Sequence, residues 1–253
     1  MLFLNVRLAI LLSFVGLSGC SSAQPPTQSN TVEVPFQITT VYALEQKGNA
    51  DLTARARYYD ALQTLDVYGN AGTIALSPGD AAFADGQHLS VETRTQTLGA
   101  LRVDYSHTIA PGKPSYLFEL RRPKETISAT IPAPEAFSGT VTETSPGSVK
   151  IDWAPVSKNA KVSILLIAKN GCALFDKGAI ANNVMDGGTY TWEASTFRSK
   201  TQGCDFEIQI ERRAQTTAAS KWKKGTTELP ANIVNVELVR TELIPFRLTK
   251  SSI

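Results

Sequence analysis

The residues that could carry chemistry in this chain are few: three cysteines, two histidines and scattered carboxylates. Cys20 follows an apolar run at positions 8–16, and Arg7 supplies positive charge before that run. The run is too short to span a bilayer as a helix and is typical of a secretory signal. The sequence therefore predicts a signal peptide over residues 1–19 and an exported protein.

The tetrapeptide Leu17-Ser18-Gly19-Cys20 resembles the lipobox of bacterial lipoproteins at all four positions. The resemblance implies cleavage after Gly19, a diacylglycerol thioether on Cys20 and acylation of the new amino terminus. Several acyl chains on one residue would make membrane attachment permanent, because one chain alone binds only marginally. Ser21 implies sorting to the outer membrane of a Gram-negative cell envelope, since an aspartate there usually means inner-membrane retention. The alternative is an ordinary signal peptide with an incidental cysteine.

Cys172 and Cys204 remain as an even pair in an exported chain. Because the cell envelope is oxidising, the sequence predicts a disulfide between them. Closing a loop of about 33 residues would stabilise the fold by roughly 3–4 kcal/mol in the chain-entropy model. A catalytic or metal-binding thiol pair is the alternative, but these two cysteines lack the close spacing that such sites usually have.

The histidines give no catalytic pattern, and the chain lacks the metalloprotease, hydrolase-elbow, phosphate-loop and dinucleotide motifs. His107 shares a predicted strand face with apolar residues, so we expect a hydrogen-bonded core histidine there. His88 shares a face with polar residues and is expected to be solvated. The sequence therefore predicts no catalytic residue, no bound cofactor and no metal site.

Two other segments have a chemical and a structural interpretation. Oxygen donors that could hold calcium occur in one stretch, namely Asp176, Asn182, Asn183 and Asp186. Their spacing does not match an EF-hand loop, and turn chemistry explains them more simply. The segment from Lys221 to Lys224 surrounds Trp222 with lysines, a combination that could stack a sugar, contact lipid headgroups or meet a partner. The simpler interpretation is an exposed loop whose tryptophan packs against a sheet edge.

Strict alternation of apolar and polar residues predicts the β-strands that would position these candidate side chains. Residues 52–59 alternate with period 2, which favours a half-buried strand. Two further alternating runs, at 88–95 and 101–109, flank Gly99 and predict an antiparallel hairpin. Tyr116, Phe118 and Leu120 form another inward row. Proline density rises at 123–134 and marks the expected domain boundary.

The second half carries a looser pattern, in which Val149, Ile151 and Trp153 lie on one face of a strand that ends at Pro155. This resembles the second strand of fibronectin type III domains. Tyr190, after a turn with two glycines, resembles the tyrosine corner of the same sandwich family. The resemblance covers about residues 131–213 and implies a fibronectin III-like or Ig-like sandwich.

These patterns predict an all-β fold with two tandem antiparallel β-sandwich domains. The expected organisation is a signal peptide at 1–19, a lipidated tether at 20–30, an N-terminal sandwich at 31–124 and a C-terminal fibronectin III-like sandwich at 125–253. No second apolar run approaches membrane-spanning length.

The formal net charge of +2 gives no field that would attract nucleic acid. We therefore expect a non-enzymatic binding or assembly module on the outer membrane, held by lipid on Cys20, whose partner is an envelope protein or glycan. The alternative hypothesis is an envelope hydrolase acting on glycan or peptide. Asp104, Glu119 and Asp152 are its candidate acid/base carboxylates.

Overall fold

The computed structural model describes residues 26–32, 37–60, 72–95, 101–145, 148–169, 180–192 and 203–248. These residues form strands and turns, with a single 3₁₀ turn at Ser29–Thr31. Within the described residues, no helix has the length and apolarity needed to cross a membrane. The all-β prediction is confirmed.

The described strands are numbered along the chain. In the first half they are β1 (Thr27–Gln28), β2 (Ile38–Lys47), β3 (Leu52–Asp60), β4 (Ile74–Ala75), β5 (Ala81–Ala84), β6 (Gln87–His88), β7 (Ser90–Thr95), β8 (Leu101–Ile109), β9 (Ser115–Arg122) and β10 (Glu125–Pro132). In the second half they are β11 (Ser138–Ser145), β12 (Ser148–Ala154), β13 (Ala160–Ala168), β14 (Ile180–Met185), β15 (Thr189–Trp192), β16 (Asp205–Lys224) and β17 (Thr227–Arg247).

Strands from both halves share one 12-stranded sheet, in the order β6-β5-β9-β10-β16-β17-β2-β3-β8-β7 with β13 and β14 joined through β16. The sheet is mixed, because β17 pairs parallel with β2 while its other pairs are antiparallel. Its two ends curve towards each other, since β5 and β6 approach β8. The sheet therefore runs through both halves and is not divided cleanly between two sandwiches.

The β16–β17 hairpin explains this continuity, because its strands are 20 and 21 residues long. Near its tip β16 pairs with β10, and near its base β16 pairs with β13. The middle of β17 pairs with β2. Strands of both halves therefore pair with the same hairpin.

The first core lies inside the curved part of the sheet. The predicted inward rows are present, with Leu52, Ala54, Ala56 and Tyr58 buried on β3 and Tyr116, Phe118 and Leu120 buried on β9. The rings of Tyr42 and Phe118 lie 4.5 Å apart at their centroids. Burial raises the pKa of the Tyr42 hydroxyl well above its usual value. The predicted hairpin is confirmed as β7 and β8, while Gly99 lies outside the described residues.

The second core lies between a three-stranded sheet, β11-β12-β15, and the strands β13, β16 and β17. Trp153 points into this core as predicted and is 5% exposed. The two layers approach closely at Gly139, where an added Cβ would lie 2.5 Å from Ile244 Cδ1. Tyr190, the predicted corner residue, lies in β15, pairs with Ile151 of β12 and packs edge-on against Trp192.

The predicted boundary between residues 124 and 125 falls at the β9–β10 turn, and both strands of this hairpin contribute to the first core. The chain enters the second core at Phe137, after a connecting segment that begins at Ala133. The predicted tether, residues 20–30, overlaps structured chain at its end. There β1 pairs with β4, and Ser29 Oγ donates a hydrogen bond to Asp80 Oδ2 at 2.6 Å.

Cys204 lies directly before β16 and is partly buried against the second core. Cys172 lies outside the described residues, so the bridge stays a prediction. We expect Cys172→Ser to lower the free energy of unfolding by roughly 3–4 kcal/mol under oxidising conditions. Chemical denaturation with and without reductant measures this. Equal stability of the two oxidised proteins would contradict the bridge.

Candidate functional site

A cleft of about 280 Å³ lies where the two cores meet. Its floor is the middle of the β16–β17 hairpin, with Arg212, Ala214 and Thr216 on β16 and Leu238 and Arg240 on β17. The connecting segment 132–135 and the residues Ser157 and Asn159 form its walls. We call this feature the inter-core cleft.

The sequence of β16 explains why polar and charged groups lie in a cleft whose lining is otherwise mostly apolar. On the inward face of the strand, Ile208 and Ile210 belong to the second core, and Ala218 and Trp222 pack against the first. Between these pairs the same face carries a buried arginine at 212 and a threonine at 216. The hairpin thus passes from one core to the other through a stretch that presents polar groups to the cleft.

Arg212 is 3% exposed, and its guanidinium is held by Asp186. The Nε atom of Arg212 lies 2.9 Å from Asp186 Oδ2, and the Asp186 side chain is fully buried. Two further donors orient that carboxylate: Trp153 Nε1 donates to Oδ1 at 2.6 Å and the backbone N–H of Ser157 donates to Oδ2 at 2.8 Å. Asp186 therefore fixes the arginine from the second-core side.

The other atoms of the Arg212 guanidinium meet different neighbours. Its Nη2 donates to the carbonyl of Pro155, and its Cζ lies 4.2 Å from the centroid of the Phe137 ring. Its Nη1 is buried and has no hydrogen-bond partner among the described residues. Glu135 Oε2 lies 3.9 Å from this Nη1, beyond hydrogen-bond reach.

Arg240 lies directly opposite Arg212 on the neighbouring strand and is 6% exposed. Its Nε and Nη2 each lie 2.7 Å from Glu242 Oε1, and its Nη1 donates to Gln46 Oε1 at 2.5 Å. Like charges at directly paired positions destabilise a sheet, so this arrangement depends on its two carboxylates. The cleft floor therefore carries two arginines, whose charges are neutralised by Asp186 and Glu242.

A second charged cluster covers the outer face of β3 and β8. Asp104 is fully buried and lies 2.9 Å from Arg102 Nε, 3.1 Å from Arg57 Nε and 3.8 Å from Arg55 Nε. Glu45 and Glu237 lie at its margin, paired with Arg55 and Arg57. The arrangement surrounds one carboxylate with three cations and is a structural ion-pair network.

The three candidate acid/base carboxylates lie in different places. Asp104 lies on β8 and is enclosed by three arginines. Glu119 lies on β9, and its Oε2 is 2.6 Å from Arg121 Nη2. Asp152 lies on β12, on the face away from the second core, with its Oδ1 2.9 Å from Lys150 Nζ. Hydrogen bonds from Lys150, and then from Thr189, hold the pKa of Asp152 below its usual value. The fold does not bring these carboxylates to one site.

The two histidines also lie apart. His88 is exposed on β6, as predicted, and packs edge-on against Phe83 at 5.5 Å. The prediction of a core position for His107 is wrong, because its side chain is exposed. His107 lies one residue past the last β7–β8 pair, Ser90 with Ser106, and pairs with Ala54 of β3; Ile109 on the same face of β8 is nevertheless buried.

The proposed calcium donors do not converge. Asn182 and Asn183 are exposed on β14, Asp186 is occupied by Arg212 and Trp153, and Asp176 lies outside the described residues. Within the described part of the chain, no group of three or more histidine, cysteine or acidic side chains is placed to hold a metal ion.

The lysine-rich segment forms the end of β16 and is not a loop. Trp222 is partly buried against the first core, and its Nε1 donates to Glu125 Oε2 at 2.9 Å. Lys221 pairs with Glu228 across the hairpin at 2.8 Å. The simpler interpretation, an exposed loop whose tryptophan packs at a sheet edge, is therefore wrong, because Trp222 lies in an interior strand between β10 and β17. Cys20, the predicted lipid attachment residue, lies outside the described residues.

Sequence reasoning missed the arginines of the cleft. The signal was available in β16, where the alternating inward positions 206, 208 and 210 are apolar and the next inward position is Arg212. A charged residue on the buried face of an alternating strand departs from the local pattern, and such departures are expected at functional or strained sites. The role of Glu135 could not be inferred, since its contact with Arg212 joins residues far apart in sequence.

No family model matches the chain, and no curated protein matches it. Among solved structures, the FN1-FN3 domains of chicken CNTN1 are similar at 13% identity and a TM-score of 0.25, over 86% of this chain and 66% of that chain. The adhesin InvE of Yersinia pseudotuberculosis is similar at 12% identity and a TM-score of 0.20, over 80% of this chain and 58% of that one. This chain thus spans less than two thirds of the length of either structure, and its similarity to both is weak.

Proposed function

We propose that this chain is a lipid-anchored protein of the Gram-negative outer membrane and acts as a non-enzymatic binding or assembly module. Its ligand would enter the inter-core cleft, and its partner would be an envelope protein or glycan. The observation that carries the proposal is the pair of buried, directly opposed arginines, Arg212 and Arg240, on the floor of that cleft.

The energetic cost of this pair supports a binding role. Desolvation of two cations can exceed what their salt bridges return, and well-packed apolar residues at such positions are often at least as stable. Apolar side chains at 212 and 240 would continue the inward rows of both strands and join the two cores. Polar groups at the junction are therefore better explained by a ligand that uses the cleft than by stability.

The arrangement of the second core is compatible with a binding module. Three strands, β11, β12 and β15, pack on four, β14, β13, β16 and β17, as in fibronectin III-like sandwiches. We take residues 137–248 as this unit and the first core as a second unit that shares its hairpin. Sandwiches of this kind have many functions, so the argument for binding depends on the cleft.

The alternative function, an envelope hydrolase, has less support. Acid/base catalysis needs two groups that converge on one reacting bond. Asp104 is enclosed by three arginines, and Glu119 and Asp152 each pair with a separate cation on a different strand. None of these three carboxylates lines the inter-core cleft.

The binding function is tested by site-specific photocrosslinking in intact cells. A crosslinker at Thr216 lies in the cleft, whereas one at Thr217 lies on the opposite face of the same strand and is the matched control. We expect one discrete crosslinked product, protein or glycan, from Thr216 and none from Thr217. Identical products from both positions, or none from either, would contradict binding in the cleft.

A separate prediction concerns the anchor. We expect Cys20→Ala to release the protein from the membrane fraction completely, because acyl chains on Cys20 would be its only attachment. Cell fractionation after a salt wash measures this, and circular dichroism of the released protein shows whether the body is still folded. The variant remaining in the washed membrane pellet would contradict the lipoprotein hypothesis.

A further inference from the structure

Two nitrogens of the Arg212 guanidinium, Nε and Nη1, are buried without a hydrogen-bond partner among the described residues. Nε still has an ion-pair partner, Asp186 Oδ2 at 2.9 Å, and Nη2 donates to the carbonyl of Pro155, so Nη1 is the donor with neither a hydrogen bond nor a close acidic partner. Buried donors without an acceptor are uncommon in folded proteins and are destabilising. An acceptor that reached Nη1 from the cleft would remove this cost.

The guanidinium is also fixed before any ligand arrives. Asp186 is oriented by Trp153 and by the Ser157 backbone, and it holds one edge of Arg212. The Phe137 ring lies 4.2 Å from Arg212 Cζ. A preorganised donor loses little conformational entropy on binding, which favours affinity.

Glu135 indicates which kind of acceptor belongs there. Its Oε2 atom lies 3.9 Å from Arg212 Nη1, too far for a hydrogen bond. Its side chain is 57% exposed and belongs to the connecting segment that forms the cleft wall. A carboxylate of the protein itself thus already approaches the unused donor, but loosely, and it can turn out into solvent.

We propose that the inter-core cleft binds a carboxylate of its ligand, which displaces Glu135 and accepts hydrogen bonds from Arg212 Nη1. The inference rests on the proposed binding function and names the chemistry of the ligand. A planar carboxylate matches the planar fork of a guanidinium. Arg240, directly across from Arg212, adds positive charge at the floor of the same cleft. A free carboxylic acid and an acidic side chain of a peptide present the same group.

The test is a titration of the full chain, purified in detergent, with its arginine side chains labelled with ¹⁵N. Sodium acetate is the first probe and N-acetyl-tetraglutamate amide the second, each compared with sodium chloride at equal ionic strength. The resonances of Arg212 are identified by their loss in Arg212→Lys. We expect saturable shifts of these resonances with one or both carboxylate probes. Saturation with acetate alone would indicate a small-acid ligand, and tighter binding of the peptide an acidic peptide.

Variants distinguish the proposed exchange from general charge attraction. Glu135→Gln should tighten carboxylate binding by about two- to fivefold, the size expected for loss of one partly exposed ion pair. Glu228→Gln, which changes net charge equally at the distant hairpin tip, should leave the affinity unchanged. Arg212→Lys should weaken binding by at least about tenfold, since lysine lacks the fork. If Arg212→Lys does not fold, the Glu135→Gln comparison decides the proposal alone, measured on whichever arginine resonances shift saturably with the carboxylate probes.

Three results would overturn this inference: equal shifts with chloride, equal or tighter saturation with inorganic phosphate, or no difference between Glu135→Gln and Glu228→Gln. Any of these together with a specific crosslink from Thr216 would leave the binding function intact and refute only the carboxylate. Absence of both the crosslink and the shifts would refute the proposed function as well.

Discussion

Asp104→Asn is expected to lower the free energy of unfolding by about 3 kcal/mol, at the lower end of the range for breaking a buried ion pair. The Asp104 side chain is fully buried, while those of Arg55 and Arg57 are 10% and 12% exposed. Loss of the central negative charge leaves these cations without their shared partner. Glu45 and Glu237 still pair with Arg55 and Arg57 and offset part of the loss.

Urea denaturation followed by circular dichroism measures this effect. Glu119→Gln is the matched control, because it removes the same charge from a partly exposed pair with Arg121 on β9. Pairs of that kind contribute about 0–1 kcal/mol. If the two variants lost the same stability, Asp104 would not hold the arginine cluster together.

Phe206→Ala should lower the free energy of unfolding by about 3–5 kcal/mol, because Phe206 is fully buried in the second core. We expect the effect to reach the first core. Phe206 lies in β16, whose far end pairs with β10, and its partner strand β17 pairs with β2. Opening the base of the hairpin therefore removes pairing partners from both cores.

Hydrogen exchange of backbone amides in β2 and β3 tests this coupling. In Phe206→Ala these amides should exchange on the order of 100-fold faster, since each 1.4 kcal/mol corresponds to about a factor of ten. Phe118→Ala, the reciprocal change in the first core, should accelerate exchange in β13 likewise. Unchanged exchange in the untouched core of both variants would show two independently unfolding domains.

Local patterns in the sequence determined the strands and their inward faces. Leu52 and Tyr58 alternate with polar residues on β3, and each is buried as the period-2 pattern predicts. Trp153 points into the second core for the same reason. Such predictions succeed because the direction of a side chain along a strand depends only on its position in that strand.

Other features depend on which strands pair and on what packs over each face. Nothing local shows that β16 extends from one core to the other, and the expectation of two separate sandwiches followed from that gap. His107 is exposed although Tyr105 and Ile109 on the same face are buried, and the alternation within β8 does not distinguish the three.

The inter-core cleft also depended on tertiary structure. Arg212 meets Arg240 through the register of the β16–β17 hairpin, and it meets Asp186 and Glu135 through contacts between distant segments. The buried faces of the strands follow from period-2 alternation, which is a local property of the sequence. The charges that oppose one another at the junction depend on strand register and inter-strand contacts, and these are set by the packing of the whole chain.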